Sequence, residues 1–344
     1  MACRRASLST IGIIYILLSS SFVSVSAIAI DKAHRKVHHG ERHQEFDPVQ
    51  SGRVHVAMSG DMKFLRGIIA LIRSVYHTAS EPSQVHVWLL VEEVDLLGLV
   101  QALEEAQFQQ LRHTEGNYTS MGIVGLSSAG QDTHLGHINV IPFTREDVDD
   151  FMVPVAPTTD TDKLSKHTHL IHERPSNFIR YVLGSVIGRT GAAVPSKIIY
   201  LDTDTLVLDD IGLLYEEAAL EPDGPCLAAV PRLSITMDRF FTDQLNSELG
   251  FTRRTPSFNA GVLVMHLECW GRRNIVEKIM KWIERRRETQ IFTTGSQPPM
   301  LLTFRQEGED AFFSLADKWN VPGTALPFSF LLSCSFPSII SGSS

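Results

Sequence analysis

Cysteine is scarce in this chain, with four in 344 residues. Cys3 falls in the amino-terminal segment read below as a signal, and Cys226, Cys269 and Cys334 remain as an odd set at wide spacing. That set predicts neither a disulfide framework nor a zinc site. A positive surplus is missing too: 31 Lys and Arg stand against 39 Asp and Glu, for a formal charge of -8. A mildly acidic chain is a poor partner for nucleic acid. No internal repeat is evident, and Asn117-Tyr118-Thr119 is the sole glycosylation sequon.

A long unbroken apolar run is also lacking. Arg4 and Arg5 precede an uncharged stretch from Ala6 to Ile30, but serines at 19, 20, 21, 24 and 26 dilute its second half. A spanning helix needs about 20 consecutive apolar residues. Residues 1–27 therefore read as a signal peptide ending at Val25-Ser26-Ala27, or as a membrane anchor through residues 6–30, and either addresses the chain to the secretory pathway. Loss of Arg4 and Arg5 with such a signal would take the charge from -8 to -10.

With 43% hydrophobic residues the chain can bury a sizeable core. Residues 28–52 are polar beyond Ile30, carry His34, His38, His39 and His43, show no apolar period, and read as a stem or linker. Val54–Met58 predicts a strand, Ser59–Asp61 a turn, and Leu65, Ile68, Ile69, Ile72 and Val75 the inner face of a helix. Val85–Leu90 reads as a second strand, residues 93–112 as a helix, 113–136 as a surface insertion and Ile138–Phe143 as a third strand. Pro175 and Ser176 open a further helix, with Ser176 as N-cap and Asn177 and Arg180 together on its first turn. Asn274–Arg287 is a periodic helix whose Arg285, Arg286 and Arg287 read as a solvated end. The βαβαβ alternation before residue 202 predicts an α/β fold with a doubly wound nucleotide-binding half.

Lys197-Ile198-Ile199-Tyr200-Leu201-Asp202-Thr203-Asp204 sets two carboxylates at the end of an apolar run. Ligands collect at the carboxyl ends of buried parallel strands. In extended chain, residues two apart share a face, so Asp202 and Asp204 are expected to aim at one point. Hard oxygens so placed favour Mg2+ or Mn2+, which would bridge a diphosphate. The bland alternative is a turn with solvated aspartates.

Four blocks in order resemble glycosyltransferase family 8, whose members have a GT-A fold. They are Val54–Val75, Pro175–Tyr181, Asp202-x-Asp204, and Phe258-Asn259-Ala260-Gly261-Val262-Leu263-Val264-Met265 with Leu267–Trp270. Gly295–Leu302 and Lys318-Trp319-Asn320 look like the plant galacturonosyltransferase-like branch. The resemblance covers residues 53–320. It implies a mixed sheet flanked by helices and a retaining, manganese-dependent hexosyltransferase that moves sugar from a UDP-sugar to a carbohydrate acceptor. It further implies that Asp202 and Asp204 hold the metal, and that Ala57, Met58 and Ser59 line the base pocket. Asn177 and Arg180 would meet the donor, Arg180 at the diphosphate or sugar. Asn259 and the Gly261 backbone would flank the transferred sugar, and Ser296 and Gln297 would lie where acceptor and anomeric carbon meet. The family's closing His-x-x-Gly-x-x-Lys-Pro-Trp block has no match here. The last histidine is His266, the last lysine is Lys318, and residues 321–344 form an uncharged, divergent tail.

Two rivals share the pattern. Asp-Thr-Asp-Thr-Leu matches the first motif of haloacid-dehalogenase-like phosphatases, with Asp202 as nucleophile. A non-catalytic homologue that pairs with an active partner glycosyltransferase would account for the unmatched block. His167, His169 and His172 form a metal-cluster candidate that reads more simply as a polar loop.

Overall fold

The structure, a computed structural model, describes residues 46–47, 52–106, 108–111, 118–126, 132–152, 174–292, 295–306, 308, 311–322 and 339–341. The expected signal at 1–27, almost all of the 28–52 stem, the sequon Asn117, the His167–His172 group and most of the 321–344 tail lie outside these residues. Among the described residues, no helix is long and apolar enough to cross a membrane.

The first half alternates strands and helices. β1 (Val54–Ser59) leads through a short 3-10 turn into α1 (Leu65–Thr78), then β2 (Val85–Glu92) and α2 (Leu96–Glu105). β3 (Phe108–Leu111), β4 (Thr119–Leu126) and β5 (Asp132–Phe143) follow. α3 (Pro175–Phe178) passes through a 3-10 stretch at Ile179–Val182 into α4 (Leu183–Arg189) and then β6 (Lys197–Asp202). The second half holds α5 (Ile211–Glu217), β7 (Leu227–Thr236), α6 (Asp243–Leu249) and β8 (Pro256–His266). It continues with α7 (Leu267–Arg272), α8 (Ile275–Glu288), α9 (Gln297–Gln306) and β9 (Phe313–Ser314).

Among the described residues, nine strands form one mixed sheet in the order β9-β7-β8-β6-β1-β2-β5-β4-β3. Its centre, β6-β1-β2-β5, is parallel throughout. These strands are apolar on both faces, so alternate side chains feed two separate cores. Ala57, Ile198 and Tyr200 enter one, and Met58, Ile199 and Leu201 enter the other. A large apolar side chain taken from water into such a layer contributes roughly 1.5–3 kcal/mol, so both faces of β6 are held by burial up to its tip.

Several local expectations need correction. The helix expected over 93–112 ends at Glu105, and Phe108–Leu111 is an edge strand. Much of the expected insertion is the β4–β5 hairpin, paired antiparallel from Thr119↔Val140 onward. Ser176 is inside α3 instead of capping it, because Arg174 holds the cap position and Pro175 begins the helix. Arg286 is buried with its guanidinium 4.9 Å from the Phe292 ring, and Arg285 pairs with Glu248, so the arginine end of α8 packs instead of being merely solvated. Cys226 and Cys269 are joined in a disulfide that ties the start of β7 to α7, contrary to the reading from cysteine parity.

Candidate functional site

Asp202 ends β6 at the carboxyl edge of the parallel strands, and the chain then turns sharply. Thr205 donates to the Asp202 carbonyl twice, from its backbone N–H at 3.1 Å and from Oγ1 at 2.7 Å. The extended geometry expected for 202–204 is therefore absent. Across this tight turn the Asp202 charge is still felt at Asp204. Burial and then the Asp202 charge push the Asp204 carboxyl above its ordinary value, although the residue as a whole is exposed.

Helix α1 braces this turn from below. Gly67 passes so close that an added Cβ would stand 2.4 Å from the Thr203 carbonyl oxygen, and Ser74 Oγ accepts from Val207 N–H at 3.0 Å just past the turn. Gly67 is a residue that sequence reasoning missed, and its apolar helical context gave no signal for it.

Arg180 fixes the Asp202 carboxylate. Its Nη2 donates to Asp202 Oδ1 at 2.8 Å, Nη1 to the Ala260 carbonyl at 2.6 Å and Nε to the Asn177 carbonyl at 2.9 Å. Arg180 is 3% exposed, and its guanidinium lies 4.6 Å over the Tyr200 ring. Burial alone would pull its pKa down; Asp202, Tyr200 and Tyr181 together hold it up. The structure thus places Arg180 behind Asp202, and Asn177 contributes its backbone carbonyl to that arrangement.

Strand β8 runs antiparallel to β6 and delivers Asn259 and Gly261 beside the same carboxylate. A Cβ on Gly261 would lie 2.8 Å from Asn259 Oδ1 and 3.2 Å from Asp202 Oδ2, so glycine leaves these two groups their room. Gly261 N–H donates to Asn259 Oδ1 at 2.7 Å, and Ala260 N–H donates to Gln297 Oε1 at 2.9 Å from the start of α9. Asn259, Gly261, Gln297, Arg180 and Asp202 are thereby joined in one connected arrangement.

Of Ala57, Met58 and Ser59, only Ser59 keeps a polar side chain at this edge. Ala57 and Met58 are fully buried in opposite apolar layers, as strand alternation demands, so their side chains serve the cores. Ser59 sits in register with Asp202, is 6% exposed, and its Oγ has no hydrogen-bond partner among the described residues. A buried hydroxyl without a partner is costly unless a water or a ligand atom meets it.

The donor set tests for a cation. Asp202 and Asp204 supply hard oxygens of like charge, which fits a small divalent ion of the kind that takes one or two carboxylates and completes its shell with water and phosphate. No group of three or more His, Cys, Asp or Glu suited to a metal occurs among the described residues. His266 is turned inward, accepting from Cys269 N–H at 3.2 Å.

Residues 55–327 match the sequence profile of glycosyl transferase family 8. The chain belongs to that family. The family assignment overturns the phosphatase alternative. A protein described as probable galacturonosyltransferase-like 6 of Arabidopsis thaliana is 27% identical over 278 residues, covering 78% of this chain and 65% of that protein. Probable galacturonosyltransferase-like 7 of the same plant is 28% identical over 275 residues, with 78% and 62% covered. The chain thus spans under two thirds of the length of these relatives.

Among solved structures, the galactosyltransferase LgtC with donor and acceptor sugar analogues superposes with a TM-score of 0.53 at 17% identity, over 85% of this chain and 87% of that one. Mouse xyloside xylosyltransferase 1, in its apo form, gives 0.52 at 14% identity, over 85% and 98%. The fold is therefore GT-A, as the resemblance implied.

Proposed function

We propose that this family 8 chain moves a glycosyl group from a UDP-sugar to a carbohydrate acceptor with retention of anomeric configuration. The observation that carries the reading is the Asp202 carboxylate, clamped by Arg180 at the tip of β6 beside Asp204 and facing Gly261. Asp202 and Asp204 would hold manganese or magnesium, which would supply positive charge against the departing diphosphate. Ser59, with its unpartnered hydroxyl, supports a nucleoside end over the β1 edge. Asn259 and Gln297 support a sugar position over Ala260 and Gly261. Both are carboxamides, which abstract no proton, and this favours front-face attack within an ion pair over catalysis by a protein base. In this reading Arg180 and Asn177 position Asp202, and their contact with donor is indirect.

The names of the Arabidopsis relatives favour galacturonate as the transferred sugar, with xylose, galactose and glucose as competitors. The Cys226–Cys269 disulfide favours an oxidising compartment, in keeping with residues 1–27 as a secretory signal or anchor, 28–52 as stem and 53–320 as the transferase body in the Golgi lumen.

The test is release of UDP from a panel of UDP-sugars with Mn2+, comparing the wild type with Asp202→Asn and Asp204→Asn. Both variants should fold and lose manganese-dependent turnover by a hundredfold or more, the scale of about 3 kcal/mol. Turnover unchanged in both would sink the metal assignment. Tight UDP binding without turnover on any sugar would favour the non-catalytic homologue.

A further inference from the structure

Behind Asn259 lies a polar relay that reaches the next strand. Arg232 on β7 donates from Nη2 to Asn320 Oδ1 at 2.8 Å, and Asn320 Nδ2 donates to Asn259 Oδ1 at 3.1 Å. The same Asn259 oxygen takes Gly261 N–H at 2.7 Å. Asn320 is 1% exposed, so solvent cannot satisfy it in another orientation. Its segment is pinned: Trp319 Nε1 donates to Glu217 Oε2 at 2.6 Å and Ala316 N–H to Glu217 Oε1 at 3.0 Å.

The two ends of this relay cannot be reversed. Arg232 is a donor with no acceptor atom, so Asn320 must turn its oxygen toward it and its NH2 toward Asn259. Gly261 N–H is likewise a fixed donor, and it demands the oxygen of Asn259. Both constraints leave Asn259 Nδ2 as the end of that carboxamide with no hydrogen-bond partner among the described residues. An amide flip that is ambiguous in isolation is decided here from two sides.

We propose that Asn320, oriented by Arg232, is a positioning residue that fixes which end of the Asn259 carboxamide meets the transferred sugar, presenting an NH2 donor to a sugar oxygen. This rests on the reading of the cleft as a nucleotide-sugar site. The ligand feature selected is an acceptor lone pair, from a hydroxyl or a carboxylate. A structural role alone would affect UDP and UDP-sugar equally, whereas this role touches the sugar.

Asn320→Asp is the direct variant. It keeps volume and the Arg232 contact, but it replaces the donor facing Asn259 Oδ1 with an anionic acceptor. Calorimetry with Mn2+ measures binding of UDP and of UDP-galacturonic acid, UDP-galactose, UDP-glucose and UDP-xylose. The expected result is UDP affinity within about twofold of wild type, with the preferred UDP-sugar weakened about tenfold, the scale of one neutral hydrogen bond. Arg232→Met should repeat the pattern, and Arg232→Lys, which retains a donor, should largely restore it. Equal losses for UDP and UDP-sugar in properly melting variants, no loss at all, or a wild type whose UDP affinity is unaltered by any attached sugar would overturn the inference. A wild type that binds no UDP would instead overturn the functional reading beneath it.

Discussion

Arg180 shows how one side chain can govern a carboxylate from behind. It donates to the buried Ala260 carbonyl, the half-buried Asn177 carbonyl and one oxygen of Asp202, and a lysine cannot span all three because its donors radiate from a single atom. Arg180→Met removes the donor shared by the Asn177 and Ala260 carbonyls and leaves Asp202 without this cation. The expected cost is about 3 kcal/mol, toward the lower end for a broken buried pair because Asp202 retains 33% side-chain exposure. Urea denaturation measures it, and wild-type stability would contradict the clamp. Helical spacing in the sequence put Arg180 and Asn177 on one first turn; in the structure α3 ends at Phe178 and Arg180 lies in the 3-10 stretch that follows, where its Nε reaches the Asn177 carbonyl. The contact with Asp202 was not legible, since it joins residues 22 apart through tertiary packing. Arg232 and Asn320 were hidden for the same reason: Asn320 reaches Asn259 across 61 residues and Arg232 across 88.

Among the elements, α1 and the β6 turn depend on each other through Gly67. Gly67→Ala must displace the backbone of Thr203, because the new Cβ would stand 2.4 Å from its carbonyl oxygen. Overpacking of this kind costs about 1–3 kcal/mol, and it should also weaken Mn2+ affinity by moving Asp202 relative to Asp204. A variant with unchanged melting temperature and Mn2+ affinity would show that the contact relaxes freely. At the opposite end of the parallel strands, His55, His86 and His137 are cross-strand neighbours on β1, β2 and β5, with ring centroids 5.6 and 5.2 Å apart. Burial, then His55, Arg53 and His137, lowers the His86 pKa to about 3. In the unfolded chain His86 takes a proton near pH 6.5, and in the fold it resists until about 3, so its stabilising contribution is present above pH 6.5 and fades as pH falls toward 3. The fall in melting temperature between pH 7 and 4.5 should be smaller in His86→Gln, and an equal fall would contradict this. The central strands and α1 were legible because their apolar periods are strong. The β4–β5 hairpin was not, because glycines and polar residues interrupt a strand pattern that lies toward the sheet edge.

For the molecule as a whole, the pieces of the site come from distant parts of the chain: β1, α3, β6, β8 and the start of α9. Sequence order alone identified the blocks and their family resemblance, while the geometry that joins them required the sheet to bring β8 against β6. The disulfide illustrates the limit, since cysteine parity carries no information about the approach of β7 to α7 across 43 residues. The central claim is that Asp202 and Asp204 form the metal end of a nucleotide-sugar site faced by Gly261. Anomalous diffraction from crystals grown with Mn2+ and UDP tests it most directly. One manganese peak is expected within bonding distance of both carboxylates, about 2.0–2.2 Å, with the diphosphate against it and the ribose toward Ser59. Manganese and UDP bound together at a place remote from Asp202 and Asp204 would contradict it.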